Sequence, residues 1–331
     1  MSQPPVLLGL DFGGTKIAMT VCEPNGDRLA SSTVASGGEL GAAASFDRGV
    51  QAARALLAGA APGRDLAAVG VATFGIPFDD RVELAPAISG WDKLALGNKL
   101  RDAFPGARVV LATDAKAAAQ AEMRWGALAG CDPAIYLNLG TGLAAAIVAG
   151  GQVLSGANGA AGEIGYNLRG PGDVGVPLAA RVPLEDMISG QALARRAASH
   201  SAHGQPVTAG EVFEASRDDK DLDRLLTDFV TELAFHVVNL AICVNPVRIA
   251  VGGGMVRSWE RLRPGLEHAL SEGVPFPPEL VAARFPYDAP LIGAVALAVD
   301  AAHAEAAARP GTDGGDPVTF PPITISEGLP S

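Results

Sequence analysis

One unit occurs twice in this chain of 331 residues, and nothing else in the sequence constrains the fold as strongly. Near the start, the apolar run Val6 to Leu10 passes into Asp11, Gly13 and Gly14. A second apolar run, Ile17–Val21, follows without a helix-start signal. About 130 residues later, Leu137-Asn-Leu-Gly-Thr-Gly passes in the same way into Leu143–Val148. Each copy then continues through a glycine turn to a further strand, at Pro24-Asn25-Gly26-Asp27 and at Gly150-Gly151. Strand, Gly/Thr turn, strand, turn, strand, written twice, predicts a duplicated α/β domain. The length suits two domains that each bury a core.

The turns carry chemistry. Glycines at 13 and 14 let backbone N–H groups approach an anion closely. Thr15 adds a hydroxyl, Lys16 a cation, and Asp11 a carboxylate able to hold a hydrated Mg²⁺. The spacing is not that of a P-loop, which reads Gly-x-x-x-x-Gly-Lys-Ser/Thr and then enters a helix. The second clip, Gly140-Thr141-Gly142, offers N–H groups and a hydroxyl to a transferable phosphate. A third cluster, Gly252-Gly253-Gly254, follows the strand Arg248–Val251 and opens a helix; without side chains it lets adenine or ribose lie on the backbone. Asp114 follows the strand Arg108–Ala112 and opens an Ala-rich helix that runs to Trp125. Thr113 can cap that helix, which leaves the Asp114 carboxylate free to serve as a base.

Further helices are expected over Phe46–Ala60, Trp91–Phe104, Leu184–His200, Leu222–Val244 and Pro290–Ala307, with a strand at Ala67–Ala72. Residues 310–331 are rich in Gly, Pro and Asp and read as a tail, docked through Phe320 and Ile323–Ile325. The net charge is −11 and the pI near 4.9, which argues against nucleic acid or an anionic membrane as partner. No signal peptide and no run of about 20 apolar residues is seen. Cys22, Cys131 and Cys243 are far apart, so a reducing cytoplasm is the expected location.

Asp11-x-Gly13-Gly14-Thr15-Lys16 resembles the phosphate hairpin of the superfamily of actin, hexokinase and the heat-shock ATPases. It also resembles the opening of the ROK family of repressors, open reading frames and sugar kinases. Further segments resemble that family in order along the chain. Gly70-x-x-x-x-Gly75 carries Phe74 where the family has proline, and Ser89-Gly90-Trp91 follows. Asp114-Ala115-Lys116-Ala117-Ala118-Ala119-Gln120-Ala121-Glu122 stands against Asn-Asp-Ala-Asn-Ala-Ala-Ala-x-Ala-Glu. Gly159 to Tyr166 stands against Ala-Gly-Glu-Ile-Gly-His; Leu184-Glu185-x-x-x-Ser189-Gly190 and Pro290-Leu-Ile-Gly293-Ala294 complete the set.

The resemblance implies two actin-like (ribonuclease H-like) α/β domains, with mixed sheets flanked by helices and an active-site cleft between them. The first would span 1–115 and be completed by the helix 290–307; the second would span 116–289, with 308–331 as a tail. The implied activity is an ATP- and Mg²⁺-dependent hexose kinase, most often acting on the 6-OH, and the implied assembly is a homodimer. Asp114 would take the proton and Asp11 would organise Mg²⁺. Gly13, Gly14, Thr15, Lys16, Gly140, Thr141 and Gly142 would hold phosphates, and Gly252, Gly253 and Gly254 the adenosine. Gly75, Thr113, Asp114, Glu163, Tyr166 and Glu185 would face the sugar.

Three departures qualify this. Thr113 stands where the family has Asn, and Tyr166 where it has His. The family's Cys-x-Cys-Gly zinc loop would fall between Tyr166 and Leu184, a stretch with no Cys or His, so no zinc site is expected. The first two changes point from glucose towards an amino- or otherwise modified hexose, kanosamine for example, whose ammonium could pair with the carboxylates. Glucokinase is the alternative. A ROK repressor is not expected, because the phosphate hairpin begins within ten residues of Met1 and leaves no room for a winged helix. A non-catalytic sugar sensor on the same fold is the remaining alternative; intact Asp11, Lys16 and Asp114 argue against it.

Overall fold

The computed structural model describes residues 3–199 and 208–308. The tail contacts expected of Phe320 and Ile323–Ile325 lie outside the described residues, as does His200. β1 (Val6–Phe12), β2 (Lys16–Cys22) and β3 (Arg28–Ala35) form an antiparallel meander. They are followed by α1 (Ala42–Ala60), β4 (Leu66–Thr73), a small hairpin of β5 (Ile76–Pro77) and β6 (Val82–Glu83), α2 (Leu96–Ala103) and β7 (Arg108–Thr113). The sheet order is β3-β2-β1-β4-β7, with β1, β4 and β7 parallel. α3 (Asp114–Trp125) leads to a second meander of β8 (Ala134–Leu139), β9 (Leu143–Ala149) and β10 (Gln152–Val153). Next come α4 (Glu185–Ile188), α5 (Gly190–Ala198), α6 (Ala209–Ala215), α7 (Lys220–Val244), β11 (Arg248–Gly252), α8 (Trp259–Gly273) and β12 (Glu279–Ala282). This sheet runs β10-β9-β8-β11-β12, again with two strands parallel to the first of the meander. The duplicated unit in the sequence is thus a duplicated sheet plan. α9 (Ala289–Ala308) closes the chain.

β1 shows why the strands form where they do. Its apolar run is nearly unbroken because both faces are covered. Val6, Leu8, Leu10 and Phe12 join one core with Phe46 and Val50 of α1; Leu7, pointing the other way, joins Val295, Ala298 and Val299 of α9. α3 and α9 lie between the two sheets. Ala117 packs with Ala72 and Ala294, whereas Ala118 and Ala119 pack with Tyr136 and Ala146 of the second sheet. The backbones come so close that a Cβ at Gly70 would stand 1.8 Å from the Ala294 carbonyl oxygen, and one at Gly293 1.7 Å from that of Ala117. Fully buried Glu122 ties α3 to the entry of α9, accepting from the N–H groups of Ala127, Arg284 and Phe285 at 2.6, 3.2 and 2.8 Å.

Two expected helices are broken. Over Trp91–Phe104 there is a 3-10 turn at Trp91–Lys93, then extended Leu94, and only then α2. Trp91 is held by tertiary contacts: its ring lies 5.6 Å from Phe12 and 5.0 Å from Phe74, and Nε1 donates to Thr73 Oγ1 at 3.3 Å. Over Leu184–His200 the chain breaks at extended Ser189, whose Oγ caps α5 by accepting from Ala192 N–H at 3.2 Å. α7 has the length and hydropathy of a membrane span, contrary to the expectation of none; its buried face, including Leu226, Phe229, Leu233 and Val237, belongs to the second core.

Candidate active site

The C-terminal ends of β1, β4 and β7 share one edge of the first sheet, where ligands gather in α/β folds. The register aligns Asp11 with Ala72 and Ala112, and Phe12 with Thr73 and Thr113. Strands lie about 4.8 Å apart, so Asp11 and the start of α3 are separated by two spacings, about 10 Å. Thr113 caps α3: its backbone is extended and its Oγ1 accepts from Lys116 N–H at 3.4 Å. Among the described residues, the Asp114 carboxylate accepts only from the N–H of its neighbour Ala115, at 2.7 Å. Thr113 is thus the cap expected from sequence.

Burial pushes the Asp114 pKa up, while the Ala115 N–H and the charge of Lys116 pull it back. Burial, then the charge of Asp114, pushes Asp11 up to about 7, against the pull of Lys16. Two carboxylates in one desolvated recess resist ionising together. A divalent cation beside Asp11 relieves that conflict, so the residue fits the Mg²⁺ role expected of it.

The first clip is braced from behind. Gly13 N–H donates to Lys16 O at 2.9 Å, Ser36 Oγ to Gly14 O at 2.7 Å, and Ser36 N–H to Thr15 O at 2.9 Å. Gly14, Thr15 and Lys16 are left exposed. In the second clip Gly140 N–H donates to Gly142 O at 3.1 Å, and Gly190 N–H to Gly140 O at 2.9 Å. That last contact explains the break before α5, because a Cβ at residue 190 would stand 2.7 Å from the same oxygen. The three glycines after β11 differ in surroundings. Gly252 is buried under the Tyr136 hydroxyl, Gly253 takes φ +87° against Leu139, and Gly254 is exposed with open space beside it. A short 3-10 turn, Gly254–Ser258, intervenes before α8.

A further group of ionisable residues joins both halves of the chain. Lys116 Nζ stands 3.5 Å from Glu163 Oε1. Burial raises the Glu163 pKa and Lys116 opposes the rise. Glu185 lies against the second clip: a Cβ at Gly142 would be 2.7 Å from its Oε2. Burial raises its pKa too, opposed by the Leu143 N–H. Half-buried Tyr166 is pushed up by burial and then by the charges of Glu185 and Glu163. Gly75, at φ +74°, turns the chain after β4. Lys116 was passed over in the sequence, although the ROK pattern quoted for this segment has Asn there.

The stretch between Tyr166 and Leu184 is held by arginines. Arg169 donates to both carboxylate oxygens of Asp173, at 2.9 and 2.6 Å, and Arg181 donates to the Tyr166 carbonyl at 2.5 Å. The guanidinium and the N–H of Arg169 keep the Asp173 carboxyl well below its usual range. Arg181 thus ties down the Tyr166 backbone, and the Arg169–Asp173 pair braces the loop that follows.

Duplicated sheets, each opening on a meander with a clip at its first turn, define the actin and hexokinase class of fold. A profile of the ROK family matches residues 7–301, and the chain belongs to that family. The kanosamine kinase of Amycolatopsis mediterranei is 31% identical over 270 residues, which are 81% of this chain and 86% of that protein. A ROK hexokinase from Thermus thermophilus superposes with a TM-score of 0.73 at 29% identity, over 91% of this chain and 99% of that one. A ROK glucokinase from Streptomyces griseus, solved with glucose and AMPPNP, does so with 0.70 at 30% identity, over 88% and 98%.

Proposed function

We propose that the chain is an ATP-dependent sugar kinase that transfers the γ-phosphoryl group to a hexose hydroxyl, the 6-OH by preference, and that its sugar is an amino- or otherwise modified hexose. The observation that carries the reading is the Asp114 carboxylate, released from capping by Thr113 and set among Asp11, Lys116, Glu163 and Glu185. Phosphoryl transfer asks of the protein mainly positioning and charge. The two clips and Lys16 hold the phosphates, and Gly254 offers an open backbone to the nucleoside. Asp114 accepts the proton of the attacking hydroxyl; that oxygen bonds to the γ-phosphorus as the bond to the β-phosphate oxygen breaks and ADP leaves. Mg²⁺, which enters with ATP and would sit by Asp11, neutralises charge on the phosphate oxygens. Glu163 accepts from a sugar hydroxyl and Glu185 from a hydroxyl or an ammonium, which favours a polyol over an apolar acceptor. The kanosamine kinase relative supports the aminohexose.

The test is Asp114→Asn in a coupled ADP assay across hexoses and aminohexoses. Turnover should fall by at least about 10²-fold with ATP affinity little changed. Near-wild-type turnover would remove Asp114 from its role.

A further inference from the structure

Lys116 is a cation where the packing asks for none. Its neighbours Ala115, Ala117, Ala118 and Ala119 are buried by helix and sheet contacts. The Lys116 side chain is itself only 7% exposed, although a lysine stem can usually carry its charge out to water. Its partner is Glu163, 21% exposed and on the second half of the chain, at 3.5 Å. Among the described residues no acceptor stands at hydrogen-bonding geometry to Nζ. An ammonium has three N–H donors, and leaving them unmet out of water is costly. The group lies two residues from Asp114 and its ammonium reaches to Glu163, two of the residues that the sugar-kinase reading places at the acceptor.

We propose that Lys116 is a specificity-determining residue for the sugar: its ammonium donates to a ring hydroxyl of the hexose beside Glu163 and excludes a protonated amine from that ring position. The proposal rests on the sugar-kinase reading. Four substituents can be weighed there. A hydroxyl satisfies both groups at once, accepting from Lys116 and donating to Glu163. A hydrogen in its place leaves the ammonium unmet. An ammonium meets like charge. A carboxylate or phosphate enters a recess where Asp114, Glu163 and Glu185 outnumber one cation. The amine of an aminohexose therefore belongs beside Glu185, which has no ion pair among the described residues.

The experiment compares wild type, Lys116→Met and Lys116→Gln on glucose and its 2-, 3- and 4-deoxy and 2-, 3- and 4-amino analogues. Steady-state kcat/KM is measured with ATP, and sugar binding by calorimetry. In wild type, one ring position should show losses of about tenfold or more for both the deoxy and the amino analogue. Lys116→Met should shrink both losses to within about threefold. Lys116→Gln, which keeps a donor without the charge, should retain the deoxy loss and relieve the amino loss by about fivefold or more. A merely structural lysine would weaken all sugars alike. An unchanged ranking in the Met variant overturns the proposal; should that variant melt early, an unrelieved amino loss in the Gln variant does so. If wild type phosphorylates none of the sugars, the kinase reading falls, and the calorimetric ranking still decides the role of Lys116.

Discussion

Replacing Asp11 with Asn should stabilise the ligand-free protein while abolishing turnover. The carboxyl is pushed from 3.8 to about 7, first by burial and then by Asp114. A carboxyl whose folded pKa is raised binds its proton more tightly folded than unfolded, so stability falls as pH rises from about 4 to about 7. The full rise corresponds to roughly 4 kcal/mol at 1.36 kcal/mol per pH unit, an upper bound because the recess is partly open to water. Asparagine does not titrate and so escapes this loss. Asp11→Asn should gain little below pH 4, about 1–2 kcal/mol at pH 5, and most of the total at pH 8. Urea unfolding in EDTA at pH 5 and pH 8 reads the difference directly. Mg²⁺ with AMPPNP should then stabilise wild type more than the variant, since only wild type offers the carboxylate. A variant less stable than wild type at pH 8, or with the same advantage at both pH values, would refute the reasoning.

The other expectations concern the sugar side. Thr113→Asn with Tyr166→His should move the ratio of kcat/KM for glucose over aminohexoses by roughly 10- to 100-fold, the worth of one well-placed polar contact; an unchanged ranking makes the two residues neutral. Gly142→Ala puts a methyl 2.7 Å from Glu185 Oε2 and should raise the sugar KM by about tenfold, as steady-state kinetics at saturating ATP would show. Elemental analysis should find no stoichiometric zinc, since the loop before Leu184 has no Cys or His.

What could be read from the sequence was local or repeated. The strand and clip of each half announce themselves in a few residues, and two copies fix the plan of both sheets. That Thr113 caps α3 follows from a rule that needs only neighbouring residues. What could not be read was decided by distant contacts. The break before α2 exists because Trp91 packs on Phe12 and Phe74, and the break at Ser189 because Gly190 meets the second clip. Lys116 was hidden for another reason. Helical faces are read from the contrast between apolar and polar residues, and Lys116 is flanked by Ala115, Ala117, Ala118 and Ala119, which suit either face. With no contrast, a lysine there reads as solvated. The buried faces of α3 are fixed instead by α9 and the second sheet, through Ala294, Tyr136 and Ala146. On this helix the Lys116 side chain is only 7% exposed and its ammonium stands 3.5 Å from Glu163. A buried lysine on that helix is thus placed by the packing of the two halves against it, which no window of sequence contains.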